Sequence, residues 1–340
     1  MVVGAVLVLA LTWQALSMRV AYVALGPGPT VDALGEFTYQ DDTYDVISAN
    51  PDVSSVSEGQ LRLVTVRIYD GINLGQALYY WLSGDYAVIP REFQYPDDKS
   101  DEEIAAEQKK MWVTSQSAAE TAALRELGHA VSVTVTEVED ASPNGDLSDG
   151  DVITEVEGED VTSGQRLLEL IAEADAAEPG EPVVATVDRD GETEDVKLTL
   201  ERAADGSVTI PGVEIEPVQE DPYDLTVTTE GLGIGGPSAG LVFALAMIDR
   251  VDPTDLTGGL IIAGTGEIDE EGNVGPIGGV AQKVVGARAD GATVFLTPSA
   301  NCPTAAANAP EGLLLVTVDT LDDALTALET LRDGGQPPTC

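Results

Sequence analysis

The chain has 340 residues and a formal net charge of −44, which arises from 60 acidic and 16 basic residues. A negative field of this size repels nucleic acids and anionic membrane surfaces, so nucleic acid is not an expected partner. Apolar residues make up 43% of the chain, as in globular proteins, and the length suffices for two or three domains with a sizeable core.

Residues 2–16 are almost wholly apolar, and a less pure apolar run continues through residues 20–25. As one helix, residues 2–25 would be long enough to span a bilayer. A cleaved signal peptide, with a weak small-x-small site at Ala15 and Ser17, or a buried core helix would explain the same run. The N-terminal position and the GPGPT turn that follows favour a transmembrane anchor or signal over residues 1–25.

Residues 26–115 form a mixed α/β segment. The period-two alternation of residues 61–70 predicts a strand, and the pattern of residues 74–82 predicts a short amphipathic helix. A charged helix follows the turn residues near position 96. No recognisable chemistry lies in this segment.

Residues 116–204 predict a domain of short strands and two helices in a particular order. An alanine-rich helix precedes a strand over residues 130–140, which is marked by alternating β-branched residues. Turn signals, a short strand and an amphipathic helix follow, and a hairpin is centred on Asp190 and Gly191. This order resembles a PDZ domain, and the resemblance implies binding of extended peptides or C-termini by addition of a strand to a sheet edge.

The candidate carboxylate-binding loop of the PDZ-like domain is the segment LGHA, which comprises Leu127, Gly128, His129 and Ala130. Acidic pairs in the same domain could suggest calcium. Turn chemistry is the plainer explanation, because no complete EF-hand loop is present. We therefore predict no metal site.

The pattern of residues 205–333 predicts an α/β domain, and residues 334–340 form a C-terminal tail. In the α/β domain, a strand over residues 225–229 leads into a glycine-rich loop and a helix that starts near Ser238. Gly231, Gly233 and Gly236 satisfy the dinucleotide fingerprint G-x-G-x-x-G. An acidic residue for the ribose comes late in the sequence, and Pro237 removes a backbone donor that could face a phosphate. We therefore predict no cofactor.

Ser238 is alternatively a nucleophile. Pro237 suits the first turn of a helix, where free N–H groups and the helix dipole favour developing negative charge. The single histidine, His129, is far away in sequence, so lysine is the remaining common base. Of five lysines, Lys283 lies among apolar and small residues, where burial would lower its pKa. Taken singly, Ser238 could be a helix N-cap and Lys283 a surface helix lysine.

Two blocks of sequence resemble the proteolytic domain of Lon-type serine peptidases. They are GGPSAG at residues 235–240 and GTGEIDEEGNVGPIGGVAQKVVGA at residues 264–287. The resemblance implies a Ser-Lys dyad of Ser238 and Lys283, with Thr265 placed to hydrogen-bond the lysine. The substrate and oxyanion loop would contain Gly235, Gly236, Pro237 and Ala239.

The chain has no G-x-x-x-x-G-K-[ST] motif and carries an apolar N-terminus and a PDZ-like domain. In this it resembles membrane-anchored, PDZ-containing Lon-like peptidases of bacteria. The resemblance implies an ATP-independent serine endopeptidase that hydrolyses unfolded or flexible protein segments. It also implies a single-pass protein of the cell membrane with an extracytoplasmic catalytic domain.

The tail is similar to those of actinobacterial members with a C-terminal cysteine, which implies a disulfide between Cys302 and Cys340. Lon-type domains commonly form rings, so a homo-oligomer is compatible with the resemblance.

The expected fold class is an α+β multidomain protein with an N-terminal transmembrane helix, a PDZ-like β-rich domain and a Lon-type α/β proteolytic domain. The predicted domains are residues 1–25, 26–115, 116–204, 205–333 and 334–340. The alternative function is a non-catalytic, membrane-anchored PDZ scaffold that binds peptides, in which Ser238 only caps a helix.

Overall fold

The computed structural model describes residues 2–340 except residues 97, 98, 130, 140, 204, 205, 230 and 233. The α-helices of the described residues are α1 (Val2–Ser17), α2 (Leu74–Ser83), α3 (Asp101–Glu126), α4 (Gly164–Ala177), α5 (Gly240–Val251), α6 (Val280–Ala289), α7 (Cys302–Asn308) and α8 (Leu321–Arg332). Short 3₁₀ turns lie at Arg91–Phe93, Pro237–Ala239 and Ser299–Asn301.

The strands of the described residues are β1 (Tyr22–Asp32), β2 (Glu36–Tyr39), β3 (Asp42–Asp45), β4 (Ile47–Ser48), β5 (Gln60–Tyr69), β6 (Ala87–Pro90), β7 (Ser132–Val138), β8 (Val152–Val156), β9 (Glu159–Asp160), β10 (Val183–Arg189), β11 (Glu192–Leu198), β12 (Glu201–Arg202), β13 (Val208–Thr209), β14 (Val213–Val218), β15 (Thr226–Val227), β16 (Ile261–Gly264), β17 (Glu267–Ile268), β18 (Val274–Gly275), β19 (Val294–Thr297) and β20 (Leu314–Thr317). These elements give an α+β protein.

The apolar N-terminal run is divided between a helix and a strand. α1 has 16 residues and is about 24 Å long, whereas the hydrocarbon core of a bilayer is about 30 Å thick. The second part of the run enters β1, where Val23 and Ala24 are fully buried. Within the described part of the chain, no helix is both long and apolar enough to cross a bilayer. The predicted transmembrane helix is therefore wrong, as is the single-pass membrane location that depended on it.

The chain divides into two compact units, one formed by residues 1–123 with 223–340 and the other by residues 124–222. The first unit is built on a six-stranded sheet of order β20-β19-β16-β5-β1-β6. Strands β20, β19, β16 and β5 run parallel, and β1 pairs antiparallel with both β5 and β6. Strands from both ends of the chain thus share one sheet, and the second unit is inserted between them in sequence.

Helices α5 and α6 pack on opposite faces of this sheet. Ala263 of β16 lies in a buried cluster with Val284 of α6. The next residue, Gly264, faces α5, because a Cβ at this position would lie 2.9 Å from Cγ2 of Val242. Successive strand residues point to opposite faces, so the sheet separates the two helices. Their side chains can therefore meet only beyond the end of β16, next to residues 265–267.

The second unit contains a sheet of order β11-β10-β8-β7-β14, with β9 paired to β8. Leu167 and Ile171 of α4 are fully buried in its core. Asp151, which is 1% exposed, accepts two N–H groups from the guanidinium of Arg189, and this compensates for burial of the carboxylate. β7 is paired on both sides, whereas β14 lies at an edge of the sheet. An added peptide strand could therefore pair with β14 but not with β7.

The C-terminal residues run beside β20. Thr339 forms an isolated bridge with Val316, and the Cys340 N–H donates to the Leu315 carbonyl at 3.3 Å. This path brings Cys340 to the start of α7, where the structure joins it to Cys302 with the two Cα atoms 5.1 Å apart.

We predict that the Cys302–Cys340 bond forms in solution under oxidising conditions and stabilises the first unit. It closes a loop of 38 residues, and cross-links of this kind contribute about 2 to 4 kcal/mol to the free energy of unfolding. Urea unfolding of oxidised and reduced protein should show a loss of this size on reduction. A Cys302→Ala, Cys340→Ala double variant is the control, because reductant should not change its stability. Two free thiols in oxidised protein, counted by mass spectrometry after alkylation, would contradict the prediction.

Candidate active site

Ser238 lies in the 3₁₀ turn that leads directly into α5. Gly236 precedes the turn with φ of 88°, a backbone conformation that glycine adopts without strain. The Ser238 carbonyl accepts hydrogen bonds from two residues that follow β16, the Gly266 N–H and the Thr265 hydroxyl, each at 3.0 Å. The nucleophile candidate is therefore fixed between the start of α5 and the chain that leaves β16.

Lys283 lies on α6, which opens at Gly279. Gly279 has φ of +71°, and a Cβ there would lie 2.6 Å from Cγ2 of Val66, so this turn requires glycine. Lys283 is 3% exposed. Its Nζ atom lies 2.8 Å from Oγ of Ser238 and 3.0 Å from Oγ1 of Thr265. The structure thus brings together the three residues that the motifs singled out across 45 positions of sequence.

Burial lowers the pKa of the Lys283 amine from 10.5 to about 8, and the carboxylate of Glu267 opposes part of this shift. The groups within hydrogen-bond distance are neutral hydroxyls, which compensate an ammonium ion less than a carboxylate would. A substantial fraction of the amine is therefore neutral near pH 8 and can accept a proton.

Thr265 fixes the orientation of the lysine amine. Its hydroxyl is fully buried and donates to the Ser238 carbonyl, so its lone pairs face the N–H groups of Lys283. With one N–H directed to Thr265, the neutral amine can turn its lone pair towards the Ser238 hydroxyl.

A cavity of about 700 Å³ opens over Ser238 and Lys283. The predicted loop lines it together with one face of α3 and part of β5; the lining includes Gly235, Gly236, Pro237, Ala239, Gln108, Met111, Trp112 and residues 63–68. β16 pairs with β5 only through residues 60–63. Beyond them, no strand of the described residues covers that edge of β5, so backbone groups are available to an extended peptide.

The dinucleotide interpretation of the glycine loop does not fit the geometry at Gly231. A Cβ at this position would lie 2.2 Å from the Tyr39 ring, so the ring occupies the approach that a pyrophosphate would need. Gly233 lies outside the described residues. Across the described ranges, no group of His, Cys, Asp and Glu side chains is arranged to hold a metal ion.

The predicted carboxylate-binding loop of the second unit lies before β7. The His129 carbonyl accepts the side-chain N–H of Gln219 at 2.8 Å, and Gly128 has φ of +92°; Ala130 lies outside the described residues. β7 is paired on both sides, by β8 and β14. In the described part of this sheet the edge strands are β11 and β14, and β14 is the edge next to β7, so a peptide that adds a strand on that side would pair with β14 rather than with β7.

Two contacts near the dyad have no signal in the sequence. The Ser115 hydroxyl of α3 donates to the Pro237 carbonyl at 2.8 Å. The side-chain amide of Asn301 accepts the Ile277 N–H and donates to the Ile277 carbonyl, both at 2.9 Å. Ser115 lies in an alanine-rich helix and Asn301 in a polar turn, where serine and asparagine are ordinary residues.

Two segments of the chain match models of known families. Residues 224–329 match the Lon protease (S16) C-terminal proteolytic domain, and residues 106–200 match the PDZ domain. The proteolytic match contains Ser238, Thr265 and Lys283. The PDZ match begins inside α3, in a part of the helix that belongs to the first unit.

Curated Lon proteases are similar to parts of the chain. The Lon protease of Roseiflexus castenholzii is 46% identical over 68 residues, which are 20% of this chain and 8% of that protein. Lon protease 1 of Sorangium cellulosum is 33% identical over 124 residues, 36% of this chain and 15% of that protein. Lon protease 1 of Bacillus subtilis is 34% identical over 119 residues, 33% of this chain and 15% of that protein.

The chain therefore spans no more than 15% of the length of these three relatives. The resemblances to a PDZ domain and to the Lon proteolytic domain are confirmed at the level of single domains, whereas the membrane anchoring that a further resemblance implied is not supported. The chain thus combines one segment similar to a Lon C-terminal proteolytic domain with one similar to a PDZ domain.

Proposed function

We propose that the chain is an ATP-independent serine endopeptidase with a Ser238–Lys283 dyad. The observation that carries the proposal is the 2.8 Å separation between Oγ of Ser238 and the buried Nζ of Lys283, whose pKa is lowered to about 8. A helix-capping serine needs no such partner. The scaffold alternative is therefore disfavoured, because it would leave the burial of this amine without a role.

In the proposed reaction, the neutral Lys283 amine accepts the Ser238 proton while Oγ forms a bond to the peptide carbonyl carbon. The carbonyl oxygen becomes an oxyanion near the first turn at Ser238, where N–H groups have no intrahelical acceptor. Lys283 then gives its proton to the leaving amine as the C–N bond breaks. The same amine then deprotonates a water whose oxygen bonds to the acyl carbon, and it returns this proton to Oγ of Ser238 as the acyl–oxygen bond breaks.

An extended substrate fits this arrangement. The open edge of β5 beyond residue 63 can pair with a peptide backbone, and the adjoining cavity presents polar and apolar surface in similar amounts. Strand addition requires a segment that is already unfolded or flexible. The 340 residues contain no G-x-x-x-x-G-K-[ST] motif for an unfolding ATPase, which supports independence from ATP.

The second unit would bind extended peptide segments of substrates, with β14 as the strand that receives them. Among the described strands its sheet has β11 and β14 at the edges, and β14 is the one that pairs with β7, the strand after the predicted carboxylate-binding loop. A homo-oligomer remains part of the proposal through the resemblance to Lon-type domains alone.

We expect Ser238→Ala and Lys283→Ala to lower kcat by about a thousandfold or more, since each removes a group that acts in every bond-making step. Cleavage of casein without ATP measures this. Lys283→Arg is the informative companion, because arginine keeps the charge and cannot deprotonate in this pH range. Activity in Lys283→Arg close to that of the parent would rule out Lys283 as the base.

The pH dependence of kcat/KM should report the lysine. Only the neutral amine is active, so activity should rise with pH through about 8; the neutral fraction is about a tenth at pH 7 and about nine tenths at pH 9. The measurement is kcat/KM for a fluorogenic peptide across this range. A midpoint near 10.5 would indicate an exposed lysine, and a midpoint near 6.5 would indicate histidine and contradict the assignment.

A further inference from the structure

We infer that two side chains outside the dyad, Ser115 and Asn301, are positioning residues: Ser115 aligns the nucleophile and Asn301 aligns the base. The inference rests on the proposed peptidase function. Neither residue is adjacent in sequence to Ser238 or Lys283, and Ser115 lies outside the matched proteolytic segment.

Ser115 acts on the peptide bond that precedes the nucleophile. Its hydroxyl donates to the Pro237 carbonyl, which also accepts the Gly240 N–H within the first turn. The Pro237 carbonyl and the Ser238 N–H belong to one planar peptide group and point in opposite directions. Fixing the carbonyl oxygen therefore fixes the direction of the Ser238 N–H, which is the donor closest to a developing oxyanion.

α3, the helix that carries Ser115, is anchored to Thr229, just before the glycine-rich loop, and to α5. The Trp112 indole N–H donates to Oγ1 of Thr229 at 3.1 Å, and its ring packs edge-on against Phe243 with centroids 5.4 Å apart. Ser115 is 5% exposed, and its Oγ would lie 3.0 Å from a Cβ at Gly240. Glycine at position 240 therefore leaves the space in which the buried Ser115 hydroxyl reaches the Pro237 carbonyl.

Asn301 acts on the turn that opens α6. Its two hydrogen bonds satisfy both backbone polar groups of Ile277, immediately before Gly278 and Gly279. The Lys283 N–H donates to the Gly279 carbonyl at 3.1 Å, so this turn sets where the lysine helix begins. Ile277 and Gly278 also line the cavity beside Lys283. Displacement of the turn would therefore admit water to the amine.

Besides Lys283 itself, two charged side chains line the cavity, and only one of them acts on the lysine pKa. Glu267 of β17 and Arg67 of β5 line the same cavity, and Glu267 raises the lysine pKa while burial lowers it. Replacing Asn301 by a neutral residue changes neither charge. A change in the pH midpoint of such a variant would therefore report altered burial of Lys283.

The test compares Ser115→Ala and Asn301→Ala with two control variants, one on the same helix as Ser115 and one on α7, which Asn301 immediately precedes. Ser117 is exposed on α3, and Asn308 of α7 donates only to the Thr304 carbonyl among the described contacts. The readouts for all four variants are kcat, KM and the pH midpoint of kcat/KM with a fluorogenic peptide, together with the melting temperature.

For Ser115→Ala we expect kcat to fall about tenfold or more, with KM and the pH midpoint unchanged, because only the alignment of Ser238 is lost. For Asn301→Ala we expect the midpoint to move upward from about 8 towards 10.5, because water reaches the amine. Ser117→Ala and Asn308→Ala should match the parent. If either test variant fails to fold, Ser115→Cys and Asn301→Gln provide milder changes with the same expected directions.

The outcomes separate the inference from the function on which it rests. A parent protein whose activity survives Ser238→Ala, or that has none, refutes the dyad itself. An active parent that depends on Ser238, combined with Ser115 and Asn301 variants that behave like their controls, overturns the positioning roles. Uniform losses that follow the melting temperature, with the pH midpoint unchanged, also overturn them, because they indicate a structural role only.

Discussion

The candidate active site of the first unit depends on a lysine amine that is buried beside two uncharged hydroxyls. Removing an ammonium ion from water is unfavourable, and the Ser238 and Thr265 hydroxyls return only part of the lost solvation. Glu267 is the carboxylate that favours the charged form, and its exposure to solvent weakens that effect. The site therefore holds a base that can be neutral at moderate pH in a protein with a large negative charge.

The geometry of that pair follows from the sheet. α5 and α6 lie on opposite faces, so Ser238 and Lys283 can meet only past the end of β16, where Thr265 lies between their chains. The sheet is completed by β5 and β1 from the N-terminal part of the chain, and both lie beside α6. The first unit is thus assembled from two segments that precede and follow the second unit in sequence.

In the first unit α3 lines the cavity over Ser238, which its charged and alanine-rich sequence did not predict. The part of the helix up to residue 123 belongs to the first unit. It lines the cavity through Gln108, Met111 and Trp112. The PDZ family match nevertheless begins within it, at residue 106. In the second unit, β14 pairs with β7 and so forms the sheet edge on that side. β14 comes later in sequence than the hairpin of β10 and β11. Both assignments depend on contacts between distant parts of the chain.

The sequence by itself predicted a dyad of Ser238 and Lys283 with Thr265 beside it, because two blocks of residues resemble Lon-type peptidases; taken singly, the same residues also suit a helix cap and a surface helix lysine. It also indicated the order of elements in both matched domains. Tertiary structure alone decided that the apolar run of residues 2–25 divides into α1 and a buried strand, because burial in a sheet and burial in a lipid bilayer select the same residues. It likewise decided the contacts of Ser115 and Asn301, since hydrogen bonds between distant segments leave no periodicity in sequence.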